Sequence, residues 1–253
     1  MTCNKDSISN LTVKNKLPDE ELHLDALNRM RTLKPYYKWT KSLFDNYIGQ
    51  RILDAGCGIG NFSDLIAQDA EFVLAVDLSP ENLLVLEERF KNHLNVKIAQ
   101  YDLDSHIDII RDHKLDTIVC LDVLEHIEDD MHLLENFRKL IQPQGKLLIK
   151  VPACPWLYGS IDKASGHFRR YTKTMLTEKL KKAGWTPQKV SYMNISGVLP
   201  YFIKSRIIRN NANFSRTFSK SQIKILKFLM PLFKNIDYLV GPPIGQSLVV
   251  VAE

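Results

Sequence analysis

Short apolar runs alternate with amphipathic segments over residues 50–152. Within each run, polar and apolar positions do not alternate, which is typical of strands that are covered on both faces. The runs predict strands at Arg51–Asp54, Phe72–Asp77, Val96–Gln100, Thr117–Leu121 and Lys146–Val151. Strands and helices that alternate in this way imply βαβ units, so we expect an α/β fold with a doubly wound, mostly parallel sheet.

The flanking segments have a different character. Residues 1–18 are polar and unpatterned and predict a tail, and apolar residues at helical spacing predict a helical cap that extends to about residue 48. A loop at 152–171 is rich in Pro, Gly, Trp and Tyr. Residues 198–240 are basic and apolar at once and predict a helical lobe, and SLVVVA at 247–252 predicts a final strand.

The net charge of +5 is unevenly distributed along the chain. From Lys179 to Ile236 there are twelve Lys or Arg residues and no Asp or Glu. This asymmetry predicts two working surfaces or, alternatively, a solvated basic face. No apolar run reaches the length of a transmembrane helix, and the first residues lack the apolar core of a signal peptide. The cysteines show no metal-ligand spacing, so we expect reduced thiols in a cytoplasmic protein and no metal.

The segment DAGCGIG is the most informative part of the chain. Its glycines allow a sharp turn and the close approach of a ligand at the carboxyl edge of the first strand. A dinucleotide-binding turn would have its third glycine where Asn61 stands, and the carboxylate of Asp54 would repel a pyrophosphate. The same carboxylate suits S-adenosylmethionine (SAM), which has an ammonium and a sulfonium and no phosphate. We expect SAM to bind at Asp54, Gly56, Cys57, Gly58 and Gly60.

Carboxylates follow or end the next two predicted strands. Asp77 could accept hydrogen bonds from both hydroxyls of a ribose, although NAD-binding proteins share this feature. Asp102 could accept a bond from an adenine amino group, and Asp104 competes for this role. Leu78 and Leu103 could lie on the two faces of the adenine ring.

Five blocks, in this order and spacing, resemble the class I SAM-dependent methyltransferases (EC 2.1.1.-): DAGCGIGNF, VDLSPENL, AQYDLD, DTIVCLDVLEHIEDD and LIQPQGKLLIKVP. The resemblance implies that Asp54 and the glycines face the methionine part of SAM. It implies that Asp77 binds the ribose and that Asp102 and Leu103 lie at the adenine. It also implies that the backbone around Cys120–Asp122, which includes Leu121, contacts the amino end of the cofactor.

The same resemblance implies a domain organisation. A tail and helical cap at 1–48 precede a methyltransferase domain at 49–253, and in similar enzymes the N-terminal helix closes over SAM. The domain would have a seven-stranded, Rossmann-like sheet whose last strand is antiparallel. An acceptor loop at 152–171 and a basic helical lobe at 198–240 would be inserted in it.

The acceptor loop contains groups that could meet a methyl acceptor. Asp162 and His167 are candidate bases, and Arg169 with Arg170 could clamp a carboxylate or a phosphate. Tyr158 offers a flat surface for the acceptor. The alternative is structural: the aromatic residues of the loop pack, and Arg169 pairs with Asp162.

The segments VPA, PWL and GHFRRYT resemble a subgroup of these methyltransferases that is associated with glycan, lipid and secondary-metabolite pathways. We therefore expect a small-molecule or lipid-linked acceptor, anionic because of the basic lobe, with peripheral contact to an anionic membrane as a further hypothesis. An RNA or protein methyltransferase is the alternative, but the Asn-Pro-Pro-Tyr type of tetrapeptide is absent and no nucleic-acid partner is expected. A non-catalytic SAM-binding protein is a third hypothesis. His126 is expected to be structural.

Overall fold

A computed structural model describes residues 20–103, 113–208 and 219–253 of the chain. Within these ranges, seven strands form one sheet in the order β3-β2-β1-β4-β5-β7-β6. The strands are β1 (Arg51–Ala55), β2 (Phe72–Asp77), β3 (Val96–Gln100), β4 (Leu115–Leu121), β5 (Ile141–Pro152), β6 (Pro187–Met193) and β7 (Ser247–Ala252). Strand β7 is antiparallel to β5 and β6, and the other neighbours pair in parallel. This arrangement confirms the predicted fold class.

Helices connect these strands and flank the sheet. They are α1 (Glu20–Met30), α2 (Lys34–Ser42), α3 (Ser63–Ile66), α4 (Pro80–Phe90), α5 (Asp130–Leu140), α6 (Ser160–Ala164), α7 (Lys173–Lys182), α8 (Val198–Phe202) and α9 (Lys220–Val240). Short 3-10 turns occur at Leu124–His126, Pro155–Leu157 and Ile195–Gly197, and a π-helical turn at Ile203–Ile207 continues α8.

The central strands of the sheet are buried on both faces. Neighbouring residues of one strand point to opposite faces, so Leu53 belongs to the same apolar cluster as Phe137 of α5, and Ile52 to the cluster that contains Trp39 of α2. This double coverage is the reason that the central strands are apolar without alternation. It leaves the carboxyl edge of the sheet as the place where polar groups can gather.

Several predicted boundaries in the sheet region are wrong, and two of them change an element most. Strand β5 begins at Ile141 rather than at Lys146, because Ile141 pairs with Leu115 of β4 before the register shifts. The sequence also predicts a helix over Asn61–Gln68, whereas α3 is one turn long, because Asn61 still belongs to the turn that follows β1. Both differences concern positions where the chain changes direction and tertiary contacts override the local apolar pattern.

The basic lobe is not one continuous helix. It contains α8, the π-helical turn and α9, while residues 209–218 lie outside the described residues, as do the predicted tail and Asp104. Pro231 could have interrupted the last helix, yet α9 continues through it. Both Pro231 and Lys227, whose carbonyl loses its usual donor, are exposed, so water can replace the missing hydrogen bond.

Candidate functional site

A cavity of about 640 Å³ lies at the carboxyl edge of the sheet. Its walls come from the turn after β1, the ends of β2, β4 and β5, the cap helices α1 and α2, the acceptor loop, and the helices α8 and α9. Parallel strands bring their carboxyl ends to the same edge, and this is where ligands bind in doubly wound folds. The cavity is therefore the candidate site.

The glycines of the turn after β1 have positive φ angles, from 56° at Gly58 to 73° at Gly60. A Cβ at Gly56 would lie 2.5 Å from Val123, and a Cβ at Gly60 would lie 2.5 Å from Phe90. Glycine is therefore required at these positions by both conformation and space. Gly56 and Gly58 line the cavity together with Cys57, whereas Gly60 packs against α4 and serves the turn itself.

The cap helices are held over this turn by Asn61. Its side-chain amide donates hydrogen bonds to the backbone carbonyl of Leu27 (3.1 Å) and to the hydroxyl of Tyr37 (3.2 Å). Arg89 of α4 in turn donates to the side-chain oxygen of Asn61 at 3.1 Å. A glycine, as in a dinucleotide-binding turn, could make none of these side-chain bonds. Asn61 thus connects α1, α2 and α4 at the roof of the cavity.

Asp54 is a buried carboxylate at the floor of the cavity. The hydroxyl of Ser63 donates to its Oδ2 atom at 2.6 Å. Burial raises the pKa of Asp54 to about 6, against the lowering effect of that hydrogen bond. A cation at this place would relieve the cost of burying the charge, so the site favours a positively charged ligand group.

Asp77 lines the cavity at the end of β2 and also holds the Gly-rich turn. The backbone amide of Gly58 donates to its Oδ2 atom at 2.7 Å, and the backbone amide of Ser79 and the side chain of Asn82 donate to Oδ1, each at 3.0 Å. The sequence interpretation treated Asp77 as a ligand residue. The hydrogen bonds give it a structural role as well.

The residues predicted at the adenine lie beside this region. Leu78 follows β2, and Asp102 and Leu103 follow β3, which pairs with β2 in parallel. The side chain of Gln100 donates to the carbonyl of Leu78 at 3.0 Å and joins the two segments. These residues are not among those that line the described cavity, whereas Leu121 at the end of β4 is a lining residue. Their contacts to an adenine therefore stay predictions.

On the acceptor side, Asp162 organises a buried polar cluster. Its carboxylate lies 3.1 Å from Nδ1 of His167, and it accepts hydrogen bonds from Arg170 (2.8 Å) and the hydroxyl of Tyr201 (2.9 Å). Burial alone would raise the pKa of Asp162, but the hydrogen bond with His167 and the charge of Arg170 lower it. An ionised Asp162 orients His167 with its Nε2 atom away from Asp162 and towards Glu125.

Glu125 faces His167 and was missed by the sequence interpretation. Its carboxylate is 0 % exposed, and neither oxygen has a hydrogen-bond partner among the described residues. One oxygen lies 4.0 Å from Nε2 of His167. Burial raises the pKa of Glu125 to about 7, and the charge of His167 opposes this rise. The sequence signal that could have identified Glu125 is an acidic residue among apolar ones shortly after β4, at the carboxyl edge of the sheet.

His126 lies beside this pair, with its ring edge-on to that of His167 at 4.7 Å between centroids. Burial lowers the pKa of His126 to about 3, with smaller contributions from the charges of His167 and His23, so its ring is neutral. One ligand atom each from Glu125, His126 and His167 lies within 4.8 Å of the others, and this set could hold a metal ion. The expectation that no metal is needed stays a prediction.

The two arginines of the acceptor loop are separated. Arg170 is buried against Asp162 and the carbonyl of Ala153, whereas Arg169 pairs with Asp130 at 2.9 Å, outside the cavity lining. The predicted clamp of two adjacent arginines is therefore not formed, because consecutive side chains diverge. The alternative pairing of Arg169 with Asp162 is also wrong, since Arg170 occupies that place. Tyr158 donates to the backbone carbonyl of His167 at 2.8 Å and supports the loop.

A second ion pair, also missed from the sequence, lies at the ends of β4 and β5. Lys150 is buried in the cavity wall, pairs with Asp122, and has its ammonium 5.5 Å from the centre of the Tyr36 ring. Burial tends to lower the pKa of Lys150, but the charge of Asp122 raises it overall, so the side chain is a fixed cation. Asp122 has a φ of 56°, a strained conformation for a residue with a Cβ.

Comparison with protein families places this site in a known context. A family model described as a methyltransferase domain matches residues 22–190, which is more than half of the chain. A ubiquinone biosynthesis O-methyltransferase of Haemophilus ducreyi is 27% identical over 127 residues, which cover 49% of this chain and 53% of that protein. Another with the same name, from Xanthomonas euvesicatoria, is 29% identical over 160 residues, covering 57% and 66%. The chain thus spans about half to two thirds of the length of these curated relatives.

Solved structures share the fold. A SAM-dependent methyltransferase from Mesorhizobium loti superimposes with a TM-score of 0.57 at 16% identity, covering 84% of this chain and 94% of that one. A phosphoethanolamine N-methyltransferase from Haemonchus contortus, solved in complex with SAM, has a TM-score of 0.57 at 21% identity, covering 84% and 51%. At these identities the similarity concerns the fold, and the function has to be argued from the site.

Proposed function

The chain belongs to the class I SAM-dependent methyltransferase family, and from this premise we propose that it transfers a methyl group from SAM to a hydroxyl of a small-molecule acceptor. The observation that carries the proposal is that one cavity joins Asp54 and Asp77 to Glu125 and His167. A cofactor cradle and an acid-base cluster in the same cavity are what methyl transfer to an oxygen requires. The names of the relatives, which are O-methyltransferases, support the choice of oxygen.

The residues of the cradle fit SAM. A side chain at Gly56 or Gly58 would meet Val123 or Leu27, so the glycines leave the backbone free to approach a ligand. The buried carboxylate of Asp54 has a raised pKa, as expected of a group whose cationic partner is the ligand. Asp54 would hold the methionine part, and Asp77 the ribose. When bound there, SAM supplies a methyl group already activated on a sulfonium.

The acceptor cluster supplies the base. Ionised Asp162 accepts a hydrogen bond from Nδ1–H of His167, which leaves Nε2 without a proton and free to accept one. The acceptor hydroxyl gives its proton to Nε2 as its oxygen forms the new bond to the methyl carbon, and the pair of electrons of the broken carbon–sulfur bond stays on sulfur. Glu125, beside Nε2, stabilises the resulting imidazolium when it is ionised.

An anionic acceptor is the finer part of the proposal. The cations Lys150 and Arg170 lie in the cavity wall, and the pKa shift of Lys150 keeps it charged. Each of these cations is paired with a carboxylate, Lys150 with Asp122 and Arg170 with Asp162. A carboxylate or phosphate of the acceptor would therefore bind by sharing their positive charges with these acids. A lipid-linked or glycan-linked acceptor is the more specific version of this proposal. It also matches the apolar side of the cavity formed by Leu229 and Phe233 of α9.

The test uses the full chain and SAM labelled in the methyl group, with a cell extract as the source of acceptors. We expect the label to move into small organic molecules that are retained on an anion exchanger, and the transfer to fall in His167→Ala. His132→Ala is the matched control, because His132 is exposed on α5, away from the cavity. Label in RNA or protein instead would favour the alternative acceptors. SAM binding without any transfer would indicate a non-catalytic SAM-binding protein.

A further inference from the structure

Helix α9 has two apolar faces, and one of them is exposed. Ile223 and Met230 are buried, and Leu226 and Phe233 pack against the same core. A second stripe, at intervals of three, four and seven residues, points away from the core. It consists of Ile225, Phe228, Leu232 and Leu239, which are 59%, 84%, 52% and 81% exposed. A helix that only packed on the domain would have polar residues in this stripe.

A similar stripe lies on the neighbouring segment. Leu199 of α8, with Ile203 and Ile207 of the π-helical turn, recurs every four residues, and all three are exposed. The two stripes border the cavity. Pro200 and Lys204 line it from one side, and Ile225 lines it from the other. Because Pro200 and Ile225 are also exposed, the cavity reaches the molecular surface between the two stripes. We call the two stripes together the rim surface.

The exposed charged side chains of α9 that the structure describes have one sign. Lys224, Lys227 and Lys234 are exposed along one border of the α9 stripe. Asp237, the one acid in the sequence of α9, is buried, and it accepts hydrogen bonds from the backbone amides of Asn194 and Ile195. The carboxylate of Asp237 therefore does not contribute to the exposed face of α9. The exposed face combines large apolar side chains with lysines.

From this combination we infer that the rim surface docks on a membrane that contains anionic lipids and holds the opening of the cavity against it. Apolar side chains next to lysines are the features with which helices lie in the interface of an anionic bilayer. None of the described helices is long and apolar enough to cross a membrane, so the contact is with its surface. If the acceptor is a molecule held in the membrane, that part of the inference rests on the proposed function. The docking of the rim surface on the membrane is argued from its exposed apolar residues and lysines alone.

A second copy of the chain is the competing occupant of an exposed apolar face. In a two-fold symmetric dimer built on the α9 stripe, the same patch meets itself. Lys224, Lys227 and Lys234 of the two copies would then lie near one another, and their repulsion opposes the contact. Anionic headgroups supply the opposite charge. Charge complementarity therefore favours the membrane over self-association.

The test is co-sedimentation of the full chain with vesicles. We compare vesicles of equal parts phosphatidylcholine and phosphatidylglycerol with vesicles of phosphatidylcholine alone, each at low and high salt. We expect binding to the anionic vesicles that is lost at high salt, because salt screens the attraction. Absence of binding to the anionic vesicles, or equal binding to both kinds at both salt concentrations, would overturn the proposal.

Variants separate this surface from the rest of the molecule. Lys224→Glu with Lys227→Glu should weaken binding to the anionic vesicles by at least about tenfold, since each basic residue near an anionic surface contributes roughly fivefold. Phe228→Ser with Leu239→Ser should abolish binding to the anionic vesicles, because it removes two of the large apolar side chains of the rim surface. The matched control is Leu84→Ser with Leu94→Ser, which removes two leucines exposed elsewhere and should bind like the parent. If the control lost vesicle binding to the same extent, any exposed leucine would have the same effect, and this result would count against the proposal.

Two further measurements keep the outcomes distinct. Light scattering of the parent and of Phe228→Ser with Leu239→Ser would reveal a dimer that depends on the rim surface, and that result would overturn the membrane proposal. SAM affinity and methyl transfer to a water-soluble acceptor should stay unchanged in the lysine variants, because neither Lys224 nor Lys227 lines the cavity. Failure of methyl transfer in the parent would count against the proposed function and leave the vesicle result standing.

Discussion

Nε2 of His167 lies 4.0 Å from the carboxylate of Glu125, and the opposite nitrogen of the same ring lies 3.1 Å from Asp162. The two carboxyls differ in their surroundings. Asp162 accepts several hydrogen bonds and has a lowered pKa, whereas Glu125 is buried without a hydrogen-bond partner among the described residues and has a raised pKa. The imidazole therefore lies between a fixed anion and a group that exchanges its proton near neutral pH.

This geometry predicts a division of roles that kinetics can measure. His167→Ala should lower kcat by about 10²-fold or more, the scale of a lost general base, and leave SAM affinity within about twofold. Asp162→Asn should lower kcat as well and change its dependence on pH, because the carboxamide has no charge to stabilise the imidazolium and can donate to Nδ1, which favours the tautomer with the proton on Nε2. Steady-state rates over a pH series check both. A kcat of His167→Ala within twofold of the parent would reject His167 as the base.

Glu125 predicts a dependence of stability on pH. Its pKa is about 7 in the folded chain and near 4.3 when unfolded, so protonated Glu125 favours the folded state. This contribution is complete below the unfolded pKa and is lost as the pH rises through about 7. Glu125→Gln removes the titration. Denaturant unfolding of the two proteins should therefore show the parent losing on the order of 2 kcal/mol relative to the variant between pH 5 and pH 8.

The same measurement contains its own check. The pKa of about 7 already includes the lowering effect of the charge of His167, so the predicted difference between parent and variant needs no further correction for their attraction. A difference that grows towards acidic pH would contradict the assignment. His167→Gln as a second variant should enlarge the pH effect of Glu125, because it removes the opposing charge.

Asp54 predicts a pH dependence of cofactor binding. Its pKa is raised to about 6, and the ionised form is the one that attracts the ammonium of SAM. The affinity for SAM should therefore increase roughly tenfold as the pH rises from 5 to 7, because at pH 5, one unit below the pKa, only about one tenth of Asp54 is ionised. Isothermal titration calorimetry with SAM measures it. In Asp54→Asn the affinity should be lower and independent of pH over this range, and a persistent pH dependence would point to another group.

Asp77→Ala should weaken SAM binding at least about tenfold, since two charge-assisted hydrogen bonds to the ribose would be lost. The hydrogen bonds from Gly58, Ser79 and Asn82 add a second expectation: the variant should also lose about 1–3 kcal/mol of stability. Thermal unfolding and calorimetry measure the two effects separately. Glu87→Ala, which removes an exposed acid from α4, is the control and should change neither. An unchanged dissociation constant would remove Asp77 from the cofactor site.

Local sequence was informative where local rules govern the chain. Ser79 and Pro80 predict the start of α4, and the Ser79 hydroxyl accepts a hydrogen bond from the backbone amide of Asn82, as an N-cap should. Strands β1, β2 and β4 were recognisable because both of their faces are buried, which makes most of each run apolar. The family followed from the spacing of its blocks, and the family model supports it.

Sequence by itself therefore determined the fold class, the family and the position of the Gly-rich turn, since each depends on short-range pattern and on residues near in the chain. Tertiary structure alone decided which polar groups meet. Glu125 and His167 are 42 positions apart, Lys150 and Asp122 are 28 apart, and Arg169 and its neighbour Arg170 turn to different partners. It also decided which face of α9 is buried. The spacing of apolar residues along a helix shows that an apolar stripe exists. It does not show which stripe is buried, because the hydrophobic effect is non-directional and the packing of the other elements decides which stripe they cover.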